Sequence, residues 1–247
     1  MKCIYLATFI SLMVVLGFGE SSQSLGRTSS VDASASTAGR PSMGHPRQGT
    51  RRGGGSRGGV CDLPTDVPAL TALMPDTSIW DSTAIDVVFS FTTTDTPNLW
   101  FYLPYSLDTG SRVTFTLKDA DDETLKRAQL DTTQPLPAGP SMVRVSLAEL
   151  GQTLAPAADY HWYLTVNCES GPTVSVDGWL NYQPGNQPDP YDQQFLVDTL
   201  SVLAEAQLSN PGDNGAQSAW REMLESADLG DITDAPLTDC CDFVEQF

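Results

Sequence analysis

The chain has 247 residues, with 13 basic and 31 acidic side chains and a formal net charge of −18. The charge is partitioned: residues 1–60 hold seven basic and two acidic residues, a net of +5, which leaves six basic and 29 acidic residues and a net of −23 for residues 61–247. A domain that acidic repels polyphosphate and anionic headgroups, so nucleic acid and anionic lipid are not expected as its partners. The acidity itself serves solubility in an exported protein, with weak divalent-cation binding as the functional alternative.

The first element is an address. Met1 and Lys2 precede an uncharged, mostly apolar run from Cys3 to Phe18, with the small residues Gly17 and Gly19 two apart at its end. A basic start, an apolar centre and a small-x-small site predict a secretory signal peptide over 1–19. The run is shorter than the ~20 residues of a spanning helix, and no second long apolar segment follows, so no membrane association is expected after cleavage. Residues 20–60 are rich in Ser, Gly, Thr, Ala, Arg and Pro, and include Arg51-Arg52-Gly53-Gly54-Gly55-Ser56-Arg57. They lack the apolar area needed to offset ordering entropy and are expected to form a disordered basic tether.

Four cysteines remain beyond the signal: Cys61, Cys168, Cys240 and Cys241. An even number in an oxidising compartment favours disulfides over metal ligation. A Cys61–Cys168 bridge is expected to staple the start of the folded domain to a strand end. The adjacent Cys240 and Cys241 leave three states open: a vicinal bridge, a bridge between chains, or free thiols.

Residues 61–182 read as strands. Ile85, Val87, Phe89 and Phe91 alternate with Asp86, Val88, Ser90 and Thr92, and Val113, Phe115 and Leu117 alternate with Arg112, Thr114, Thr116 and Lys118. Met142–Leu147 and Val174–Leu180 behave similarly. A period of two, broken by Asp, Gly and Pro clusters, marks half-buried antiparallel strands. Asp119–Glu123 is the expected turn between Val113–Lys118 and Leu125–Leu130. About seven such strands predict an Ig-like antiparallel β-sandwich.

Residues 183–190 form a polar connector, and helical spacing then takes over through residues 191–237. Asp189-Pro190 supplies an expected N-cap and N1 proline, with Leu196, Leu200 and Leu203 at helical spacing. Asn210-Pro211-Gly212 ends that helix. A second starts near Asn214, places Trp220, Leu224 and Ala227 on one face, and has Gly230 as its expected stop. The fold class is therefore mainly β with a C-terminal α-helical hairpin, an α+β arrangement ending in an acidic, Cys-containing tail at 238–247.

No catalytic constellation is visible. His45 lies in the tether and His161 in a strand, and there is no Gly-x-Ser-x-Gly elbow to supply a nucleophile. His and Cys are not clustered as a zinc site requires. Asp119 begins like a calcium loop, but Thr124 and Leu130 stand where glycine and the closing Glu belong. Neither a metal nor a cofactor is expected.

The aromatic residues are the remaining signal. Trp100 and Tyr102 share one face of an extended strand, and Leu99, Phe101 and Leu103 the other; Tyr160, Trp162 and Leu164 likewise oppose His161, Tyr163 and Thr165. Large residues on both faces mean either a strand covered on both sides or one face left open as a platform. Core rings with their polar tips bonded are the simpler reading. On the other reading Trp100, Tyr102, Trp162, Tyr163 and Trp179 are the contact residues for a protein or glycan.

Asn98–Tyr105, Tyr160–Cys168 and Val176–Leu180, preceded by Leu70–Asp76 and the Arg/Gly-rich lead-in to Cys61, together resemble a largely cyanobacterial exported family, domain of unknown function 928. The resemblance runs from about Arg51 to Leu237 and takes in Val197–Glu205. It departs at Leu196 and Val197, where that family tends to carry an aromatic pair. What it implies is an exported β-rich domain with a C-terminal helical piece, no established activity and no catalytic residues to carry over.

The expectation is thus a non-catalytic module of the periplasm or cell envelope that binds a protein or glycan through aromatic residues. The alternatives are a carboxylate-dependent hydrolase on a sandwich scaffold and a purely structural assembly protein.

Overall fold

A computed structural model describes residues 49–53, 67–75, 87–104, 106, 112–131, 138–167, 173–189, 192–238 and 242–245. The expected signal peptide, most of the tether and all four cysteines of the expected disulfide framework lie outside the described residues.

Among the described residues nine strands form two sheets. The smaller has the order β1-β3-β6, from Thr71–Ala72 (β1), Asn98–Leu103 (β3) and Ser141–Ser146 (β6). The larger has six strands in the order β2-β8-β7-β4-β5-β9: Phe89–Thr92 (β2), Val174–Tyr182 (β8), Asp159–Asn167 (β7), Arg112–Lys118 (β4), Thr124–Leu130 (β5) and Phe243–Glu245 (β9). Two helices follow β8, α1 at Leu196–Ser209 and α2 at Asn214–Ser226. The chain is mainly β with a C-terminal helical pair.

The expected sandwich differs in two respects. β2 pairs in parallel with β8, Phe89 opposite Trp179 and Thr92 opposite Tyr182, while the other strand pairs are antiparallel. A parallel pair needs a long crossover, and here the chain runs through five strands between β2 and β8. The acidic tail is not only a tail either, because β9 extends the large sheet beyond β5.

The alternation in β3 builds two cores. Leu99, Phe101 and Leu103 meet Phe115, Trp162, Leu164 and Val176 of the large sheet, and Phe101 contacts Trp162 edge to face at 5.5 Å. Trp100 and Tyr102 point the other way, into Leu196, Leu200, Trp220, Met223 and Leu224 of the helices, and Trp100 meets Trp220 at 6.3 Å. The order is therefore large sheet, small sheet, helical pair. Gly178 stands opposite Trp162 in the β7–β8 register. A Cβ there would sit 2.5 Å from the Trp162 ring and 2.9 Å from the Val88 carbonyl oxygen, so only glycine lets that indole cross the strand.

The helix ends correct the expected caps. Asp192, not Asp189, caps the entry: its side chain accepts the Gln194 N–H of a 3-10 turn at Gln193–Phe195 that leads into α1. Asp213 caps α2 by accepting from the N–H groups of Gly215 and Ala216. Asp228 rather than Gly230 terminates α2. It adopts a left-handed φ of 57°, Leu229 N–H reaches the Leu224 carbonyl at 2.8 Å, and Asp228 N–H reaches that of Glu225. The buried Leu229 and Leu224 belong to one core and complete this Schellman ending. α1 is tied to the sheet by Asp198, whose carboxylate accepts from Thr92 Oγ1 at 2.6 Å and from the Thr93 N–H and hydroxyl at 2.7 Å.

Residues 49–53, assigned by composition to the disordered tether, are part of the fold. Thr50 bridges Asp177 on β8 and Arg52 bridges Thr71 on β1, so this segment joins the two sheets. Its arginines then reach the helical pair. Arg51 is buried and donates to the carbonyl of Ala227, the cap of α2, where a cation also complements the helix dipole. Arg52 grips Asp231 with both terminal nitrogens, at 2.6 and 2.7 Å. Backbone pairing with strands supplies order that the composition does not.

The Arg52 hydrogen bond holds the Asp231 carboxyl below its usual range. A lowered native pKa stabilises the fold at pH values above the ordinary carboxyl pKa, and that contribution disappears as pH falls through the lowered value. Both side chains are partly exposed, so Arg52→Ala is expected to cost only ~0.5–1 kcal/mol at pH 7. Thermal melts from pH 7 to pH 2 should show the gap between wild type and variant closing below about pH 4. A gap that stays constant across that range would refute the pairing as its source. Gly178→Ala should cost more, ~2–3 kcal/mol or above, because the clash is with backbone and a buried ring.

Candidate functional site

The large sheet has one face against the small sheet; its other face is closed at the β2 edge, where Phe91 meets Phe195 of the 3-10 turn and Phe89 is buried, and carries half-buried and exposed side chains across β7, β4 and β5. In β7 the split is regular: Tyr160, Trp162, Leu164 and Val166 are buried, whereas Asp159, His161, Tyr163, Thr165 and Asn167 alternate as half-buried residues. Strand register then assembles the outer face. His161 lies between Lys118 and Trp179, and Tyr163 between Thr116 and Asp177. Thr116 is opposite Arg127 on β5.

Three of these rings stack. His161 and Trp179 are nearly parallel, 13° apart with centroids at 4.2 Å, and the Tyr163 ring lies 4.2 Å from the imidazole at a tilt of 40°. Lys118 Nζ sits 5.6 Å from the centre of the Tyr163 ring, within cation–π range. The rings also form a hydrogen-bonded chain. Asp177 Oδ2 is 2.9 Å from His161 Nε2, and a carboxylate can only accept, so Nε2 carries a proton. In the neutral ring Nδ1 then accepts from the Tyr163 hydroxyl at 2.7 Å. The other Asp177 oxygen accepts the Thr50 N–H at 3.1 Å, so the 49–53 segment also braces this face. Lys118 donates to Asp122 at 2.8 Å across the β4–β5 turn, where Asp122 takes a left-handed φ of 68° and Asp119 accepts the N–H groups of Asp121 and Glu123.

The electrostatics keep Tyr163 a neutral phenol and the Lys118–Asp122 pair charged. Burial raises the Tyr163 hydroxyl above its usual value, with Lys118 opposing and Asp122 and Asp177 adding to the rise. Hydrogen bonding to Asp122 raises Lys118 and lowers Asp122, so both ends of that pair stay charged. Among the described residues His161 has hydrogen-bonded side-chain partners in Asp177 and Tyr163, and no Ser, Thr or Cys joins it. No three His, Cys, Asp or Glu side chains come together as a metal site among the described residues.

The five aromatic residues singled out in the sequence divide. Trp100, Tyr102 and Trp162 are buried, at 3%, 3% and 0% exposure, two in the helix-side core and one between the sheets. They are core residues, because each strand bearing them has its corresponding face covered by another layer. Tyr163 and Trp179 lie together on the outer face of the large sheet and are half-buried. Sequence reading left out Lys118, Asp177, Arg112 and Arg127 as site residues. Their signal is the polar phase of the strand alternation, which is visible in the sequence, although cross-strand register decides that they meet.

The family described as Domain of Unknown Function (DUF928) matches residues 52–189, more than half of the chain. The chain belongs to this family. The DUF928 match takes in β1 to β8 and stops before α1, so it spans less than the resemblance read from the sequence, and the helical pair lies beyond it. Neither the curated proteins nor the solved structures gave a match. No helix among the described residues is long and apolar enough to cross a membrane.

Trp162→Ala and Trp100→Ala are expected to cost ~3–5 kcal/mol each, the price of emptying a core. Urea unfolding would measure it, and a loss below ~1 kcal/mol for either would contradict its placement.

Proposed function

We propose that this chain is an exported, non-catalytic module of the cell envelope or periplasm that binds a protein or glycan through the outer face of its six-stranded sheet. One observation carries the reading: Tyr163 and Trp179, held by His161 and Asp177, lie half-buried together on the outer face of the large sheet, beside the exposed side chains of β4 and β5. Preorganised rings beside charged and hydroxyl groups suit recognition, because little side-chain entropy is lost on contact. The chemistry of the cluster supports binding over catalysis. Both imidazole nitrogens are engaged, and a Tyr hydroxyl raised by burial is a poor nucleophile or base at neutral pH. The signal-like first 19 residues support export.

The test is recovery of envelope material on the tagged chain, with wild type compared with Tyr163→Ala and the double variant Tyr163→Ala/Trp179→Ala. At least a tenfold fall in the recovered partner is expected, with the melting temperature of Tyr163→Ala lowered by no more than about 5 °C, since a half-exposed ring contributes less than a core ring. Equal recovery by wild type and both folded variants would rule this face out.

A further inference from the structure

The cations of the acidic domain are concentrated on the same face. Of the six basic residues after position 60, four (Arg112, Lys118, Lys126 and Arg127) fall on β4 and β5. Arg112, Lys118 and Arg127 share the outer phase with Tyr163, through the register Arg112–Asn167, Lys118–His161 and Thr116–Arg127. The acids of this face are already committed. Asp177 serves His161 and Thr50, Asp122 serves Lys118, and Asp159 accepts from Asn181 at 2.6 Å. Arg112 and Arg127 are exposed and pair with no carboxylate among the described residues, in a domain where acids outnumber bases 29 to six. With that excess, two arginines without an acidic partner on one face are an observation that solubility does not explain.

We infer that the outer face of the six-stranded sheet binds a carboxylate-bearing polysaccharide, with Arg112 and Arg127 as its anion contacts. This rests on the reading of that face as the binding surface and adds the chemistry of the ligand. Arg127 lies one strand beyond Thr116, and Arg112 four residues along β4 from it, about 13 Å at ~3.3 Å per residue. That spacing suits separated charges on an extended chain, and the guanidinium fork matches a planar carboxylate in two parallel bonds. A protein partner fits less well, because protein interfaces have an apolar centre. The exposed large hydrophobics of the described residues are Leu125, Val202 and Val244, in the irregular part of β5, on α1 and on the edge strand β9. Between the arginines and the rings the face instead offers Thr116, Gln129, Thr165 and Ser175, whose hydroxyl and amide groups match sugar hydroxyls. The remaining acidity disfavours a densely charged polymer but is screened beyond ~8 Å at physiological salt, so sparse anions are accepted locally.

The experiment titrates the full chain with polygalacturonate, with dextran, dextran sulfate and poly-L-glutamate as comparisons, in 50 and 200 mM NaCl. Polygalacturonate is expected to bind, more weakly at the higher salt, with dextran silent. Arg112→Gln/Arg127→Gln should lose at least tenfold in affinity with an unchanged melting temperature, since both side chains are exposed. Undiminished binding by that double variant, or preference for poly-L-glutamate or dextran sulfate, overturns the inference. A parallel titration with polysaccharide extracted from the envelope of the host separates the two readings. Tyr163-dependent binding to the extract without binding to polygalacturonate sinks the carboxylate inference and leaves the face reading standing; binding to neither probe sinks both.

Discussion

The double-sided burial of β3 is the constraint on which the rest of the structure depends. A strand sends alternate side chains to opposite faces. In β3 both sets are large and apolar, so neither face tolerates water. One face is satisfied by the large sheet and the other needs a separate cover, which the helical pair supplies through Leu196, Leu200 and Trp220. The small sheet is therefore a middle layer, and the helices are as much a part of the core as the strands. The DUF928 match stops at residue 189, yet the matched strand β3 is completed by residues beyond it.

Layers that meet only through apolar contact can slide, and polar clasps set their registration. Asp198 ties the first turn of α1 to the end of β2 through three short hydrogen bonds. At the other end of the hairpin, Arg51 and Arg52 reach from a segment paired to both sheets and hold the turn after α2. The buried Arg51 bond is the stronger kind of contact, since the Ala227 carbonyl it satisfies is one that a helix end leaves open. Each clasp contributes modestly to stability and chiefly fixes geometry.

Covering the inner faces leaves the outer face of the large sheet as the place where rings, hydroxyls and cations meet solvent. Trp179 stacks on His161, and Tyr163 packs against the same imidazole at a tilt. The cations beside these rings bear on the chemistry of the proposed ligand.

Much of the architecture was legible in the sequence. Strict alternation in residues 112–118 and 159–167 predicts half-buried strands, and the spacing of Trp220, Leu224 and Ala227 predicts a helix face that is buried as expected. Cap positions were less legible, because Asp189 and Asp192 carry the same side chain, and because the left-handed ending falls on Asp228 although glycine takes that conformation more easily. The role of Arg51 and Arg52 was hidden altogether, since a low-complexity composition carries no record of the strands that pair with it, one of them more than a hundred residues away. The same limit governs the candidate site. Local periodicity put Trp100, Tyr102, Trp162, Tyr163 and Trp179 on strands, but which strand face is covered depends on layer stacking. By itself the sequence determined where strands and helices lie and which side chains share a face, because those follow from periods of two and 3.6 residues. Only the tertiary structure decided which aromatics are core and which meet solvent, because burial is set by contacts between segments distant along the chain.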